Sequence, residues 1–291
     1  MTRLSVLAVL AALLAPAPLA RAAAPPVRIV AAENFYGDIA RQIGGPRVVV
    51  RSILDNPFQD PHLFEVSPSV GRDVANARLV ILNGLGYDPW MGQLLRGVPA
   101  AGREEIVVAD LVGRQPGANP HIWYDPGTML ALAARLERRL AAADPAHAAG
   151  ERRRLAAFVA SMQPLLARIA ALRRRLGGVA VTATEPVAGY LLRALGLKMR
   201  NRGFQLAVMN DTEPSVREVA AFERDLRTRR VKLLIYNRQA SDPIAARMRA
   251  IARAAGVPVV GVSETEPPGE DYQRWMAGVL AAIARALGAA G

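Results

Sequence analysis

The chain has 291 residues, of which 52% are hydrophobic and 21% charged, and it contains no cysteine. That length suits about two domains of ordinary size, and the apolar content excludes a disordered chain. The missing cysteine excludes disulfides, thiolate metal sites, iron–sulfur clusters and a cysteine nucleophile, so any chemistry uses oxygen and nitrogen. Net charge is +12, from 37 Lys and Arg against 25 Asp and Glu. Lysine occurs only at Lys198 and Lys232, and the arginines are spread along the chain. Their densest runs, residues 152–154 and 173–175, fall at the two ends of one predicted helix and read as a solvated face. With no RNP, helix-turn-helix or zinc-finger pattern, no nucleic-acid partner is expected.

At the N-terminus, Arg3 precedes an apolar run over 4–14, and Ala20-Arg21-Ala22 supplies a small-x-small cleavage pattern. These are the parts of a secretory leader, so residues 1–22 are expected to direct export and to be removed. The run is too short to span a bilayer. A lipid anchor at the cleavage site needs a cysteine, so a soluble periplasmic or secreted protein is expected.

From Val27 onward, short β-branched runs alternate with helical stretches, the pattern of α/β units around mostly parallel sheets. The first set has predicted strands at 27–31, 48–52, 79–82 and 106–108, with helices at 35–43, 67–76 and 89–96. Two helices follow, at 127–143 and 148–176. The second is unusually long, with apolar residues three and four apart from Leu155 to Leu172 and Pro164 inside it. Proline should kink this helix unless a lobe supports its apolar side. The later set has strands at 179–182, 233–236 and 259–262 and a weaker one at 206–209, with helices at 186–195, 215–228, 243–255 and 272–287. The predicted fold class is therefore α/β, with two similar lobes of mostly parallel sheet joined by a long rigid α-helix. The expected boundaries are a leader over 1–22, an N-terminal lobe over 23–143, a connecting helix over 144–177 and a C-terminal lobe over 178–291.

Three histidines occur, and two sit in near-identical settings: Asp60-Pro61-His62 and Asn119-Pro120-His121, each closely followed by an aromatic residue, Phe64 or Trp123. Proline stiffens the chain just before the imidazole, which suits a metal ligand that must be ordered before the ion arrives. His147, in the turn Asp144-Pro145-Ala146-His147, reads as an ordinary surface residue. In open α/β sheets ligands bind beyond the carboxyl ends of the strands. His62 and His121 follow predicted strands in the first lobe, and Glu185 and Glu264 lie two or three residues past predicted strands in the second. Glu185 also suits the first turn of a helix, where an acid favours the dipole, and Glu264 competes with Glu266, Glu270 and Asp271. Two neutral imidazoles and two carboxylates carry a formal charge of −2, which matches one divalent transition-metal ion. Oxygen-weighted ligation favours manganese or ferrous iron, although zinc also binds such sets. Trp90, Trp123 and Tyr124 are candidates to line the cleft. Asp88 and Asp125 are candidates to hold imidazole N–H groups or to act as turn and cap residues.

These motifs resemble those of the periplasmic metal-binding proteins that serve zinc and manganese ABC importers, the cluster A-I (cluster 9) solute-binding family. The resemblance lies in Asp60-Pro61-His62-Leu63-Phe64-Glu65, in Asn83-Gly84-Leu85-Gly86 with Trp90, and in Asn119-Pro120-His121-Ile122-Trp123-Tyr124-Asp125-Pro126. It continues through Val181-Thr182-Ala183-Thr184-Glu185 and Val262-Ser263-Glu264-Thr265. It implies two α/β lobes on a rigid helix, one ion between them, and delivery to an inner-membrane permease by a monomer without catalytic activity. By the same resemblance His62, His121, Glu185 and Glu264 are the four ligands. Glu185 stands where zinc-type members carry His and manganese-type members carry Glu. Glu264 stands where Asp is usual, and Asn119 replaces the usual Asp. No histidine occurs between Trp90 and His121, where zinc-type members often have a His-rich loop, which tilts the expectation toward manganese. Two other readings use the same chain: a periplasmic metal-dependent hydrolase with Asp60, Glu65 or Glu266 as base, and a binder of a larger ligand such as haem or a siderophore. The first lacks an HExxH helix or a nucleophile elbow. The second lacks aromatic content, at 5%.

Overall fold

The computed structural model describes residues 25–59, 61–210, 212–240 and 242–289. The leader expected over 1–22 and the candidate base Asp60 lie outside these. Two four-stranded sheets, parallel throughout, form the two lobes. The first contains β1 (Val27–Glu33), β2 (Val48–Leu54), β3 (Leu79–Leu82) and β4 (Glu104–Val107), in the order β2-β1-β3-β4. The second contains β5 (Ala180–Ala183), β6 (Lys198–Met199), β7 (Leu234–Asn237) and β8 (Val259–Val262), in the order β6-β5-β7-β8. Central strand β3, Leu-Val-Ile-Leu, is a continuous apolar run with all four residues buried, as suits a parallel strand covered on both faces. In each sheet the strand order reverses beside the first-formed strand, which opens a crevice at the carboxyl ends.

The weak strand expected at 206–209 is instead part of a helix, Arg202–Met209, and the strand at that point of the sheet is β6, two residues long. Asn201, in the left-handed region at φ 56°, turns the chain directly from strand to helix. A four-residue apolar run does not distinguish the two by period alone. At the first lobe's edge, β4 stops at Val107 and Val108 begins a short helix, Val108–Leu111.

The connecting helix runs unbroken from Ala148 to Leu176, through Pro164. At about 1.5 Å per residue it is about 44 Å long. Phe158, Met162, Leu165, Ile169, Leu172 and Leu176 form its buried stripe. They pack against helices Asn34–Gly44 and Pro126–Ala143 of the first lobe and Tyr272–Ala286 of the second. This two-sided support compensates for the backbone bond that Pro164 cannot make. By length and composition alone the helix is apolar enough to cross a membrane, but its stripe belongs to the core that both lobes share. Phe35 stacks on Trp123 at 4.6 Å between centroids, Tyr124 meets Trp275 edge-on at 5.6 Å, and the Tyr272 hydroxyl donates to the Trp123 carbonyl at 2.7 Å. The lobes are thus joined by a packed aromatic seam as well as by the helix.

Candidate metal centre

Four loops at the carboxyl ends of the strands meet in the crevice between the lobes. The loop after β2 carries His62 in the short turn Pro61–Leu63. The loop after β4 carries His121, just before the turn Ile122–Tyr124. Glu185 follows β5 and Glu264 follows β8. His62 is 37% exposed at its side chain, whereas His121 is 1% and Glu264 0%, and Glu185 is buried.

The structure brings three of the four predicted residues onto one point. His62 Nε2 lies 3.5 Å from Glu264 Oε2, and His121 Nε2 lies 3.7 Å from the same oxygen. Glu185 joins them through Asn237, whose Nδ2 donates to Glu185 Oε2 at 3.1 Å and also to Glu264 Oε1. Burial alone would lift the Glu264 carboxyl, but the two imidazoles beside it, when protonated, overcome that and hold it well below the usual carboxylate range. The 3.5 and 3.7 Å separations are long for hydrogen bonds. Two ligands on a tetrahedral ion with bonds of ~2.1 Å stand about 3.4 Å apart, so the spacing suits groups that share a cation.

Each loop that carries a candidate ligand is held by identifiable chemistry. His121 Nδ1 lies 2.6 Å from Asn119 Oδ1, and Asn119 Nδ2 donates to the Pro186 carbonyl at 2.7 Å. That second bond fixes the amide's orientation, so the atom facing the imidazole is an acceptor. Nδ1 must then carry a proton, so in the neutral ring it is the Nε2 lone pair that faces Glu264. The Pro120 carbonyl accepts from Asn83 Nδ2 at 3.0 Å, and Asn83 Oδ1 accepts from the Tyr36 hydroxyl at 2.6 Å. Asn83-Gly84-Leu85-Gly86 folds with φ of 80°, 57° and 77° at its last three residues. A Cβ at Gly84 would fall 2.7 Å from Val107 Cγ1, so this turn needs glycine. Asp88 closes it by accepting from the Asn83 and Gly84 N–H groups at 2.6 and 2.9 Å. The turn sets Tyr87 against both imidazoles, at 5.6 Å from the His62 ring and 6.0 Å from that of His121.

The remaining candidates have structural roles. Asp88 closes the turn and does not hold an imidazole. Asp125 caps helix Pro126–Ala143 through the Gly127 N–H and pairs with Arg114 at 2.9 Å. His147 Nδ1 bonds Asp144 at 2.8 Å on the surface. Trp90 packs on Phe64, and Trp123 and Tyr124 are wholly buried, Trp123 lying 5.1 Å from the His121 ring. The Glu266 backbone is held by Asn34, at 3.0 Å from its N–H and 2.7 Å from its carbonyl. Its carboxyl is pushed up to about 9 by burial and then by Asp38. Asn237 and Gln239 were not found by sequence reasoning. Gln239 Oε1 accepts from the Glu264 N–H at 2.6 Å, and its Nε2 donates to the Gln59 carbonyl at 2.8 Å. The one available signal was their position at the carboxyl end of a strand, Asn237 closing β7 and Gln239 two residues beyond it. Beside His62 and Glu185 lies a cavity of about 590 Å³, lined also by Leu63, Met209, Glu213 and Ile244.

Comparison with known proteins matches both the fold and the sequence. TroA, the periplasmic zinc-binding protein of Treponema pallidum, superposes with a TM-score of 0.76 at 18% identity, over 91% of this chain and 99% of that one. A manganese-bound periplasmic metal-binding protein from Candidatus Liberibacter asiaticus superposes with a TM-score of 0.69 at 20% identity, over 90% and 99%. The metal ABC transporter substrate-binding lipoprotein SloC of Streptococcus mutans is 21% identical over 89% of each chain. The family profile of the periplasmic zinc-uptake complex component A matches residues 29–286. With nearly the whole described chain inside that match, the protein belongs to the ZnuA family of substrate-binding transport proteins.

Proposed function

We propose that the chain captures one divalent transition-metal ion, manganese or zinc with ferrous iron a further candidate, between its lobes and delivers it to an ABC importer in the inner membrane. His62, His121, Glu185 and Glu264 are the ligands. The observation that carries this reading is the approach of two imidazole Nε2 atoms to one buried carboxylate oxygen at a spacing suited to a shared cation. The −2 charge of the set balances the ion. Either carboxylate can bind through one or both oxygens, so the site suits four to six bonds. An all-protein ligand set suits capture, whereas a catalytic ion keeps a position for water, so the reading is of a binding protein and not an enzyme. Arg3, the apolar run over 4–14 and Ala20-Arg21-Ala22 support an extracytoplasmic protein with residues 1–22 as leader. The proposed lobes span 23–143 and 178–291, with 144–177 between them. The test is elemental analysis of protein purified from its native compartment, then competition between manganese and zinc for the metal-free form. One ion per chain supports the reading, and protein that neither carries nor takes up a divalent ion refutes it.

A further inference from the structure

Two carboxamides cross the crevice, and each links a histidine loop of the first lobe to a glutamate loop of the second. Asn119 accepts from the His121 N–H at 3.1 Å, faces His121 Nδ1 at 2.6 Å, and donates to the carbonyl of Pro186, the residue after Glu185. Gln239 works in the opposite direction. From the second lobe it accepts from the Glu264 and Thr265 N–H groups, at 2.6 and 3.2 Å, and donates to the carbonyl of Gln59, three residues before His62. Both contacts depend on buried or closely fitted groups. Gln239 is buried, and a Cβ on Gly189 would lie 3.0 Å from Asn119 Nδ2, so the missing side chain there gives the amide its path to Pro186.

We propose that Asn119 and Gln239 are the positioning residues of the ion site: a pair of neutral latches that set His121 against Glu185 and His62 against Glu264 before an ion arrives. A carboxamide suits this role because it has a donor and an acceptor on one planar group, so it can satisfy a backbone N–H in one lobe and a carbonyl in the other. It adds no charge, so the −2 balance of the proposed ligand set is kept. A carboxylate at either position has no N–H for the far carbonyl and would set oxygen against oxygen. Asn119 has the further effect of fixing which imidazole nitrogen of His121 is free to bind.

The proposal rests on the metal-binding reading, and its test separates the two. Nitrogen-15 NMR of the metal-free protein reads the His121 tautomer without any ion. The wild type is expected in the Nδ1–H form, and Asn119→Ala is expected to shift toward Nε2–H. Manganese and zinc calorimetry then reads positioning. Asn119→Ala and Gln239→Ala should each weaken binding by about 10- to 100-fold, the usual loss when a ligand's outer partner is removed. Gln239→Glu keeps the acceptor, removes the crossing donor and adds negative charge near a cation. Latching predicts weaker binding for it, whereas a purely electrostatic role predicts tighter. An unchanged tautomer in Asn119→Ala, affinities within twofold of wild type, or tighter binding by Gln239→Glu would overturn the latches. A wild type in the Nδ1–H form that binds no divalent ion would overturn the metal reading instead.

Discussion

The two halves of the candidate site are built in different ways. In the first lobe the proposed ligands are scarce residues on stiffened loops: His62 and His121 each follow a proline, and the His121 loop is held through the Pro120 carbonyl by Asn83. In the second lobe they are common residues at strand ends, and position comes from a shared donor, Asn237, which bonds both Glu185 and Glu264. Within the first lobe exposure differs, since His62 is partly open to solvent while His121, like Glu264, is enclosed. The contrast shows two routes to an ordered ligand. An imidazole needs only one partner to fix its tautomer, whereas two neighbouring carboxylates need a donor between them to offset their repulsion.

Removing a ligand from either half should have the largest effect. His121→Ala and Glu264→Ala are expected to weaken manganese and zinc binding well beyond the ~100-fold that accompanies loss of an outer partner, measured by calorimetry. Equal losses from the two lobes support one shared ion, and a loss confined to one lobe breaks the comparison. Next comes Asn237→Ala, which leaves both carboxylates without their common donor. Affinity should fall about 10- to 100-fold, and the metal-free protein should melt lower than wild type by scanning calorimetry, with the gap narrowing when ion is added.

A third test lies in the first lobe, behind the site. Glu33, fully buried at the end of β1, is pushed well above the ordinary range by burial and then by the Asp88 carboxylate. The folded chain therefore holds that proton more tightly than the unfolded chain. Its stabilising effect is full below about pH 4.5 and is lost as pH rises toward the folded value. Glu33→Gln keeps the shape without the titration. At pH 8 it should be more stable than wild type, with the difference vanishing near pH 4, as read by urea unfolding at both pH values. The smallest effect belongs to His147, bonded to Asp144 on the surface: His147→Ala should leave metal affinity within twofold of wild type.

Much of this arrangement was legible in the sequence, for reasons particular residues make clear. Leu79–Leu82 and Val259–Val262 coincide with their predicted strands because buried parallel strands are short, continuous and apolar. The 29-residue helix was readable from its three-and-four spacing. Residues 206–209 were misread as a strand because the turn at Asn201 depends on tertiary context, where Asn201 meets Thr182 and Asp225. The histidine pair stood out because a repeated Pro-His is rare and local. Asn237 and Gln239 did not, because their partners lie 25 to 180 positions away and no local spacing marks them.

The most direct test is anomalous diffraction from crystals of the ion-loaded protein, collected at the metal's absorption edge. The account predicts a single peak in the crevice at about 2.0–2.3 Å from His62 Nε2, His121 Nε2 and carboxylate oxygens of Glu185 and Glu264. A peak elsewhere, or one whose ligands all come from a single lobe, would contradict it.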